Sequence, residues 1–593
     1  MTTATLPRKD SPGVDLSEKV NQRTLYESLR AQQESERASW LGHWQQLAAF
    51  FLPRSPRWST SDVNQGGRKD FAIINESGGL ALRTLGAGML TGMSNQTSVW
   101  FKIGMQDRTI DKRPDVRQWC ETVEDIIRSV FIKSNFYQTL LTFYKEQGLY
   151  GTSAFLIEAD REEDERKNTF IRCKPYPIGS YTLAQDDQLR IDLSMRSYSM
   201  KVRDLVTAYG YDKVSQSTRD LNDSPSGGTK EQWRNVTHVI HKASYFGEQA
   251  RKLTPMPWIS CQYEQDTFDP ANAIISMSGF WENPLITGRW DVNGENVYGE
   301  SPAMDILGST MSLQAYEDRL AAGVEKLIDP PMLAGSDVDP RKITTLPGGI
   351  TSVDSNEVHK VFAPAYQIDF SKGAEVTANQ IDRIVGRIND GMYRSLFQMI
   401  TEGVSRQTTA EEIRARTQEK MQILGPVIER NVEEALSPCI TRTLGILYRK
   451  RFKDGSSVLP PMPAAMHDQP MKLGFESILA QAQRMRRGTN ITTFFGFVGN
   501  EVAIQQGVLD NVDLDEATRE LGEIYDVPNK ILRTADQVAQ IRAKKQAAAD
   551  AAARAEQAPK LAQAAANLAQ APVSSGGTLL DKVMPQIAGG GQP

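Results

Sequence analysis

Apolar positions recur every three or four residues over most of this chain, and that spacing predicts helices. Trp40, Trp44, Leu47, Ala48 and Phe51 line one face of a helix over residues 21–52, which Pro53 stops. A second helix, 75–93, is rich in Gly and Ala, a composition suited to close helix packing. Trp119, Val123, Ile126, Ile127 and Val130 mark an amphipathic helix over 115–132. Ser134-Asn135 then opens another, carrying Phe136, Leu140, Phe143 and Tyr144 to about Gln147. The period then changes. Phe155 to Ile157 is a buried strand, Glu162 to Glu165 a hairpin tip and Phe170 to Cys173 the return strand. Ile191, Leu193 and Met195 alternate with polar residues, and 236–245, 258–263 and 273–281 are further strands. The interval 150–290 is therefore strand-rich, with a short helix near 200–209.

Helices return at Ser301-Pro302, an N-cap followed by proline at the first helical position, and this helix runs to Ile328. Pro and Gly punctuate the chain from Asp329 to Gly373, with short strands between them. Ile381, Ile384, Val385, Ile388, Met392 and Leu396 stripe a helix over 377–399, and a short loop follows. Two overlapping capping boxes, Thr408/Glu411 and Thr409/Glu412, start a long helix over 409–450 that Gly425-Pro426 kinks. At 1.5 Å per residue such a helix spans about 60 Å. Leu459 to Pro463 breaks the chain, 473–545 is helical, and 547–570 is an Ala/Gln-rich helix or coil before a flexible end. The fold class is α+β.

Composition excludes several functions. The 593 residues carry 68 Lys+Arg against 73 Asp+Glu, a net charge of -5, which argues against a basic nucleic-acid coat. Cys120, Cys173, Cys261 and Cys439 lie far apart with no C-x-x-C, so neither a zinc ribbon nor a disulfide framework is expected. The polar start lacks the pattern of a signal peptide, and no apolar run approaches a membrane span, so an intracellular chain without membrane contact is expected. Gly-Lys never occurs, which removes the phosphate-cradling loop of a packaging ATPase. Phe155 to Asp160 imitates a Walker B strand without the loop that would give it meaning. His238 and His241, three apart on a strand, face opposite ways, and Glu162 to Glu165 is a solvated acidic run rather than a metal site. No G-x-S-x-G elbow is present. We therefore expect no catalytic residue, no metal and no cofactor. The basic cluster Arg449-Lys450-Arg451-Lys453 is either helix C-terminal charge or a phosphate-contacting patch.

The order of parts and the local wording resemble the portal, or head-to-tail connector, proteins of short-tailed bacteriophages. The residues that carry the resemblance are Trp40, Trp44 and Pro53; Ser98 to Phe101; Ser134 to Tyr137; Gly148 with Gly151-Thr152; and Arg289-Trp290 with Val297 to Pro302. Pro347 to Ile350, Thr409 to Arg414 and Leu424 to Pro426 add to it. The resemblance spans about 25–545 and rests on the order of these motifs rather than on any one.

It implies a flexible arm (1–20), a wing (21–300), a first stem helix (301–328), a clip (329–376), a second stem helix (377–399) and a tunnel loop (400–408). A long kinked wing helix with its linker (409–469), a helical crown (470–545) and a barrel-extending or disordered tail (546–593) would follow. It further implies a twelve-subunit ring at one capsid vertex through which double-stranded DNA enters and leaves. The implied partners are the terminase large subunit, a tail adaptor, and major capsid and scaffolding proteins. DNA-channel residues would be Glu402, Gly403 and Arg406 in the tunnel loop and Arg319, Lys326, Arg383 and Arg387 on the stem. Pro347, Gly348 and Gly349, with Asp337 and Asp339, would form the clip's docking rim. The stem charges would face DNA or pair between neighbouring stems, and 400–408 would otherwise be an ordinary connector inside the wing. The competing readings are a motor or nuclease subunit, whether catalytic or not, and a scaffolding or internal virion protein.

Overall fold

The computed structural model describes residues 16–54, 58, 70–160, 170–225, 227–246, 255–328, 332–333, 363–364, 370–397, 424–452, 455–467, 469–475, 490–496, 498, 513–524, 533 and 535–569. The chain forms two compact units, Met1–Ala480 and Gln481–Pro593.

In the first unit α1 (Leu16–Phe51) runs 36 residues, roughly 54 Å at helical rise. It begins inside the segment expected to be a flexible arm to residue 20, because its first half has a surface to bind. Arg23 donates to the Glu264 carbonyl (2.8 Å), the Tyr26 hydroxyl meets His241 Nε2 (2.9 Å), and Thr182 donates to Gln33 (2.6 Å). Its second half buries Trp44, Leu47 and Phe51 in the main core. The helices α2 (Ser77–Met93), α3 (Pro114–Lys133) and α4 (Phe136–Tyr150) follow as the apolar spacing predicts. The glycines of α2 and α4 are what let them meet: a Cβ on Gly88 would lie 2.2 Å from the Phe397 ring, and one on Gly148 2.5 Å from Leu85 Cδ2.

Two antiparallel sheets form the middle. In the first, β2 (Thr152–Ala159) lies between β3 (Ile171–Tyr176) and β9 (Leu285–Arg289). The expected hairpin is there, with Ala159 opposite Ile171 and Ala154 opposite Tyr176; its acidic tip lies outside the described residues. Residues Thr152 to Ile157 are all buried, so β2 is continuously apolar at its centre rather than alternating. The second sheet has the order β4 (Tyr181–Gln185), β5 (Ile191–Lys201), β6 (Trp233–Lys242), β7 (Trp258–Glu264), β8 (Ser276–Phe280). Helices α5 (Val202–Tyr209) and α6 (Gln216–Asp223) interrupt it between β5 and β6; the second was not anticipated. Ser215 caps α6, and its N–H and hydroxyl both donate to the buried Glu264 carboxylate (2.8 Å each). His238 and His241 are ordinary strand residues: His238 meets Ser260 Oγ (2.8 Å), and burial pushes the His241 ring down to about 4.

The helix α7 (Pro302–Ile328) and the helix α8 (Phe370–Gly391) form a pair. The second differs from the expected 377–399. It starts earlier and breaks at its end, where Tyr393 adopts a left-handed φ of 54° before a last turn at 394–397. Between the pair only a two-residue ladder is described, β10 (Met332–Leu333) with β11 (Ala363–Pro364). Helix α9 covers 424–449. Among the described residues its irregularity is a π-turn at Val432–Leu436, which was not anticipated; the stretch 409–423 that leads to the expected kink at Gly425-Pro426 lies outside the described residues. The cause is Pro438, which has no N–H and whose ring crowds the carbonyl of Glu434; one wide turn removes the conflict. The unit closes with β12 (Met471–Phe475), paired antiparallel to β1 (Phe101–Met105). That strand corrects the expectation of helix from 473 onward: residues 471–475 belong to the first unit's sheet, so a helical crown cannot begin at 470.

The second unit contains α10 (Leu514–Ile524), capped by Asp513 Oδ1 accepting from the N–H groups of Asp515 and Glu516 (3.0 Å each), and α11 (Ala535–Ala569). The Ala/Gln-rich stretch is thus helical to Ala569, in line with the high helix propensity of alanine. Among the described residues no helix is long and apolar enough to cross a membrane.

One buried acid tunes stability. Glu146, on α4, is pushed up to about 8 by burial, with Ser153 and Arg196 pulling the other way. The folded state therefore keeps a proton that the unfolded chain releases above its ordinary value of 4.5, so stability falls as pH rises from there towards 8. At pH 6 the penalty is about 2 kcal/mol. Glu146→Gln is expected to raise Tm at pH 6 and above and to leave it unchanged at pH 4, as read by paired thermal melts.

Candidate functional site

The α7–α8 pair is held to the rest of the unit through its N-terminal end. Ser301 Oγ accepts from the Met304 N–H (3.2 Å), making the expected N-cap, and its hydroxyl donates to the Leu149 carbonyl (2.8 Å). One and a half turns on, Ile306 packs so closely on α8 that a Cβ on Gly391 would lie 2.4 Å from it. Farther along, Gln314 Oε1 accepts from the N–H groups of Ile74 and Asn75 (2.6 and 2.8 Å), and Asn75 donates to Glu317 (2.7 Å). Ile381, Ile384, Ile388, Met392 and Leu396 are buried, so the predicted stripe is the packed face.

The base of the pair is a close backbone crossing. Gly151 has φ +77°, and a Cβ there would lie 1.9 Å from the Gly299 carbonyl oxygen. The Gly299 N–H donates to Thr152 Oγ1 (2.8 Å) and the Trp290 N–H to the Gly151 carbonyl (2.8 Å). Above the crossing Tyr298 meets Trp44 edge to face, with centroids 5.2 Å apart, and Trp40 at 6.1 Å. Nearby, Asn135 brackets Cys173, accepting from its N–H (2.9 Å) and donating to its carbonyl (2.7 Å), while Trp100 donates to the Tyr137 hydroxyl (3.2 Å). Trp40, Trp44, Gly151, Thr152, Arg289, Trp290, Tyr298, Gly299 and Ser301, scattered along the sequence, thus meet in one region.

Charge then ties α9 to the sheet. Arg289 places its guanidinium on Glu434 (2.7 Å) and its own N–H on the same carboxylate (3.0 Å), and it also reaches Gln185 and the Leu189 carbonyl. One turn earlier Arg430 donates to the Trp290 carbonyl and to Asp291 (3.1 Å each). Glu282 receives both Arg442 (2.9 Å) and Arg449 (2.6 Å), and Gly445 leaves room for it. None of these pairs was expected. The one available signal was the spacing of Arg430/Glu434 and Arg442/Arg449 along one side of an apolar-striped helix.

The sequence matches the model of the family described as bacteriophage head to tail connecting protein over residues 23–532. It is 33% identical over 537 residues to the portal protein of Salmonella phage epsilon15, covering 90% of this chain and 92% of that one. It is 30% identical over 544 residues to the probable portal protein of Bordetella phage BPP-1, covering 92% and 94%. The chain belongs to the head-to-tail connector family.

In this connector, Arg319 on α7 and Arg383 and Arg387 on α8 are exposed and form no ion pair with another described residue. The backbone of Lys326 lies in α7. Glu402, Gly403 and Arg406, and Asp337, Asp339, Pro347, Gly348 and Gly349, lie outside the described residues. Arg449 does not present a free phosphate contact, because Glu282 holds both of its terminal nitrogens. Among the described residues no group of His, Cys, Asp and Glu is placed to hold a metal, and the four cysteines are buried and form no disulfide.

Proposed function

We propose that this connector is the subunit of a closed portal ring at one capsid vertex, a virion component assembled in the host cytoplasm, whose central channel passes double-stranded DNA. The α7–α8 pair is its stem, 329–369 its clip, shorter than the expected 329–376 because α8 already starts at Phe370, and 400–408 its tunnel loop. The observation that carries the reading is the outer surface of the pair. Met311, Tyr316 and Val324 on α7 and Val376 on α8 are exposed, alongside Arg319, Arg383 and Arg387, which form no ion pair among the described residues. Apolar and unpaired cationic residues along one rod suit neighbours on the flanks and a polyanion on the axis. A scaffold reading is disfavoured by two sheets and a large aromatic core, and an enzyme reading has no nucleotide or metal motif to rest on.

The expected assembly is a dodecamer of about 790 kDa (12 × 66.0), a heterologous contact closing into a ring. Light scattering on the purified protein is expected to show it, with a central hole in negative stain and no ATP turnover. A monomer at every concentration would overturn the reading.

In the tunnel-loop assignment Glu402 and Arg406 brush the phosphate backbone without gripping it, since an exposed, screened contact is worth about 1 kcal/mol or less. Arg406→Ala and Gly403→Pro are expected to leave the ring intact and to lower the amount of DNA packaged or retained. Normal packaging with both changes would remove the assignment. The clip rim, including Asp337, Asp339 and Pro347-Gly348-Gly349, is where the terminase large subunit and the tail adaptor would dock, with capsid and scaffolding proteins meeting the wing.

A further inference from the structure

The loop that leads from β9 into α7 carries a reactive pair of residues that plays no part in the channel reading. Asp291 and Glu300 close this loop with two backbone bonds, the Glu300 N–H to the Asp291 carbonyl (2.7 Å) and the Asp291 N–H to the Glu300 carbonyl (3.3 Å). At its tip stands Asn293-Gly294, and this dipeptide occurs once in the 593 residues. Both residues are exposed. The Asn296 N–H reaches the Asn293 carbonyl (3.4 Å), so 293–296 form a turn. Gly294, its first central residue, has φ +62°, a conformation that glycine adopts at no steric cost, and nothing lies within 4 Å of where a Cβ would be.

Asparagine ahead of glycine is the most labile amide in a polypeptide. The backbone nitrogen of the following residue attacks the side-chain Cγ and closes a five-membered ring, an approach that a Cβ on that residue would obstruct. A fold protects an asparagine by holding its amide in hydrogen bonds. Asn135 is held on Cys173 through both Oδ1 and Nδ2. Asn75 accepts from the Ser77 N–H (3.0 Å) and donates to Glu317 (2.7 Å), and Asn235 accepts from Ser199 (2.8 Å) and donates to Asp266 (3.0 Å). Neither the Asn293 side chain nor the Gly294 N–H makes a hydrogen bond with another described residue. Nucleophile and electrophile are therefore adjacent, exposed and unengaged.

We propose that Asn293-Gly294 is a site of spontaneous covalent modification, in which a succinimide forms and water opens it to aspartate or isoaspartate. The Gly294 nitrogen bonds to Asn293 Cγ, the bond from Cγ to Nδ2 breaks, and ammonia leaves with the proton given up by the Gly294 amide. Water added at Cγ yields aspartate. Water added at the main-chain carbonyl yields isoaspartate, in which the backbone runs through the former side chain. The position gives the product an effect. The Glu295 carbonyl accepts from Gln185 Nε2 (2.6 Å), and Gln185 Oε1 accepts from Arg289 (3.1 Å), the residue that grips Glu434. Isoaspartate adds one methylene to the main chain just before Glu295, in a loop closed at Asp291 and Glu300 and pinned at Gly299 by Thr152. The added length is taken up at the exposed tip, which draws Glu295 off Gln185 and loosens the support of Arg289. The new carboxylate also falls between Asp291 and Glu295. The site is a slow, one-way timer on the segment that sets where α7 departs.

The test is timed incubation of the full-length protein at pH 6 and pH 8, read by peptide mass mapping and by methyl transfer from a protein isoaspartyl methyltransferase. Residue 293 is expected to convert ahead of every other asparagine. Conversion is expected to be about tenfold or more faster at pH 8, because the attacking nitrogen reacts in its deprotonated form. Asn293→Gln, whose longer side chain would have to close a six-membered ring, is expected to lose this early phase while the melt of the fresh protein stays unchanged. Aged wild type is expected to unfold at lower urea than fresh wild type, and aged Asn293→Gln to keep its midpoint. Conversion of another asparagine ahead of 293, or equal rates at the two pH values, would overturn the site. An unchanged midpoint in fully converted wild type would overturn the effect assigned to it. The incubation needs no assembled ring, so its outcome is independent of the channel reading.

Discussion

Gly151→Ala is expected to destabilise the first unit by about 4 kcal/mol, among the largest effects of any single methyl in this protein. Two costs combine. The position has φ +77°, a left-handed backbone that costs an L-residue about 1 kcal/mol. The new Cβ would also sit 1.9 Å from the Gly299 carbonyl oxygen, and that atom is main chain on a segment fixed at both sides. The Gly299 N–H is held by Thr152, and Ser301 is already committed to Leu149 and to the first turn of α7. Forced separation there costs about 3 kcal/mol or more. Urea unfolding followed by tryptophan fluorescence measures it. Because the crossing fixes where α7 departs, the variant is also expected to lose assembly before it loses secondary structure. A variant with wild-type midpoint would show that the crossing can open freely. Gly294→Ala, also at positive φ (+62°) but with open space around it, is the control and is expected to cost only about 1 kcal/mol.

The second large effect concerns Arg289 and Glu434. Their side chains are 6% and 20% exposed, and the carboxylate accepts from both the guanidinium and the Arg289 N–H. Removing the arginine strands a carboxylate inside the π-turn of α9, and Arg289→Ala is expected to cost about 3 kcal/mol or more. The pair itself is worth much less than that, because forming it required desolvating both ions. Arg289→Met with Glu434→Leu is therefore expected to be more stable than Arg289→Ala alone. Denaturant midpoints of Arg289→Met, Glu434→Leu and the double variant give the coupling energy. Simple additivity would mean that the two residues do not act as a pair.

The helices were legible because a helix writes its buried face into near neighbours. The stripe from Ile381 to Leu396 and the Ser301-Pro302 start needed only residues a few positions apart, and both appear in the structure. The same holds for the β2–β3 hairpin, where the apolar run and its return are close in sequence. The misreadings fall where the partner is remote. Leu285–Arg289 is buried at every position and shows no alternation, so nothing marked it as the third strand beside β2. Met471–Phe475 looked helical because its partner, Phe101–Met105, lies near the other end of the unit. The π-turn in α9 was not anticipated, although Pro438 is the residue that forces it.

By itself the sequence determined the alternation of helical and strand-rich regions, the lack of any Gly-Lys pair, and the ordered motifs by which the chain belongs to its family. Those depend on spacing and residue type along the chain. Only the tertiary structure decided that Gly151 and Gly299 must both lack a side chain, and that Arg289 and Glu434 are partners. It alone decided that Arg449 serves Glu282 rather than a phosphate. The physical reason is range. A helix or a cap is stabilised by atoms within a turn of each other, whereas a backbone crossing or a buried charge pair acquires its energy from residues that are neighbours only once the chain has folded.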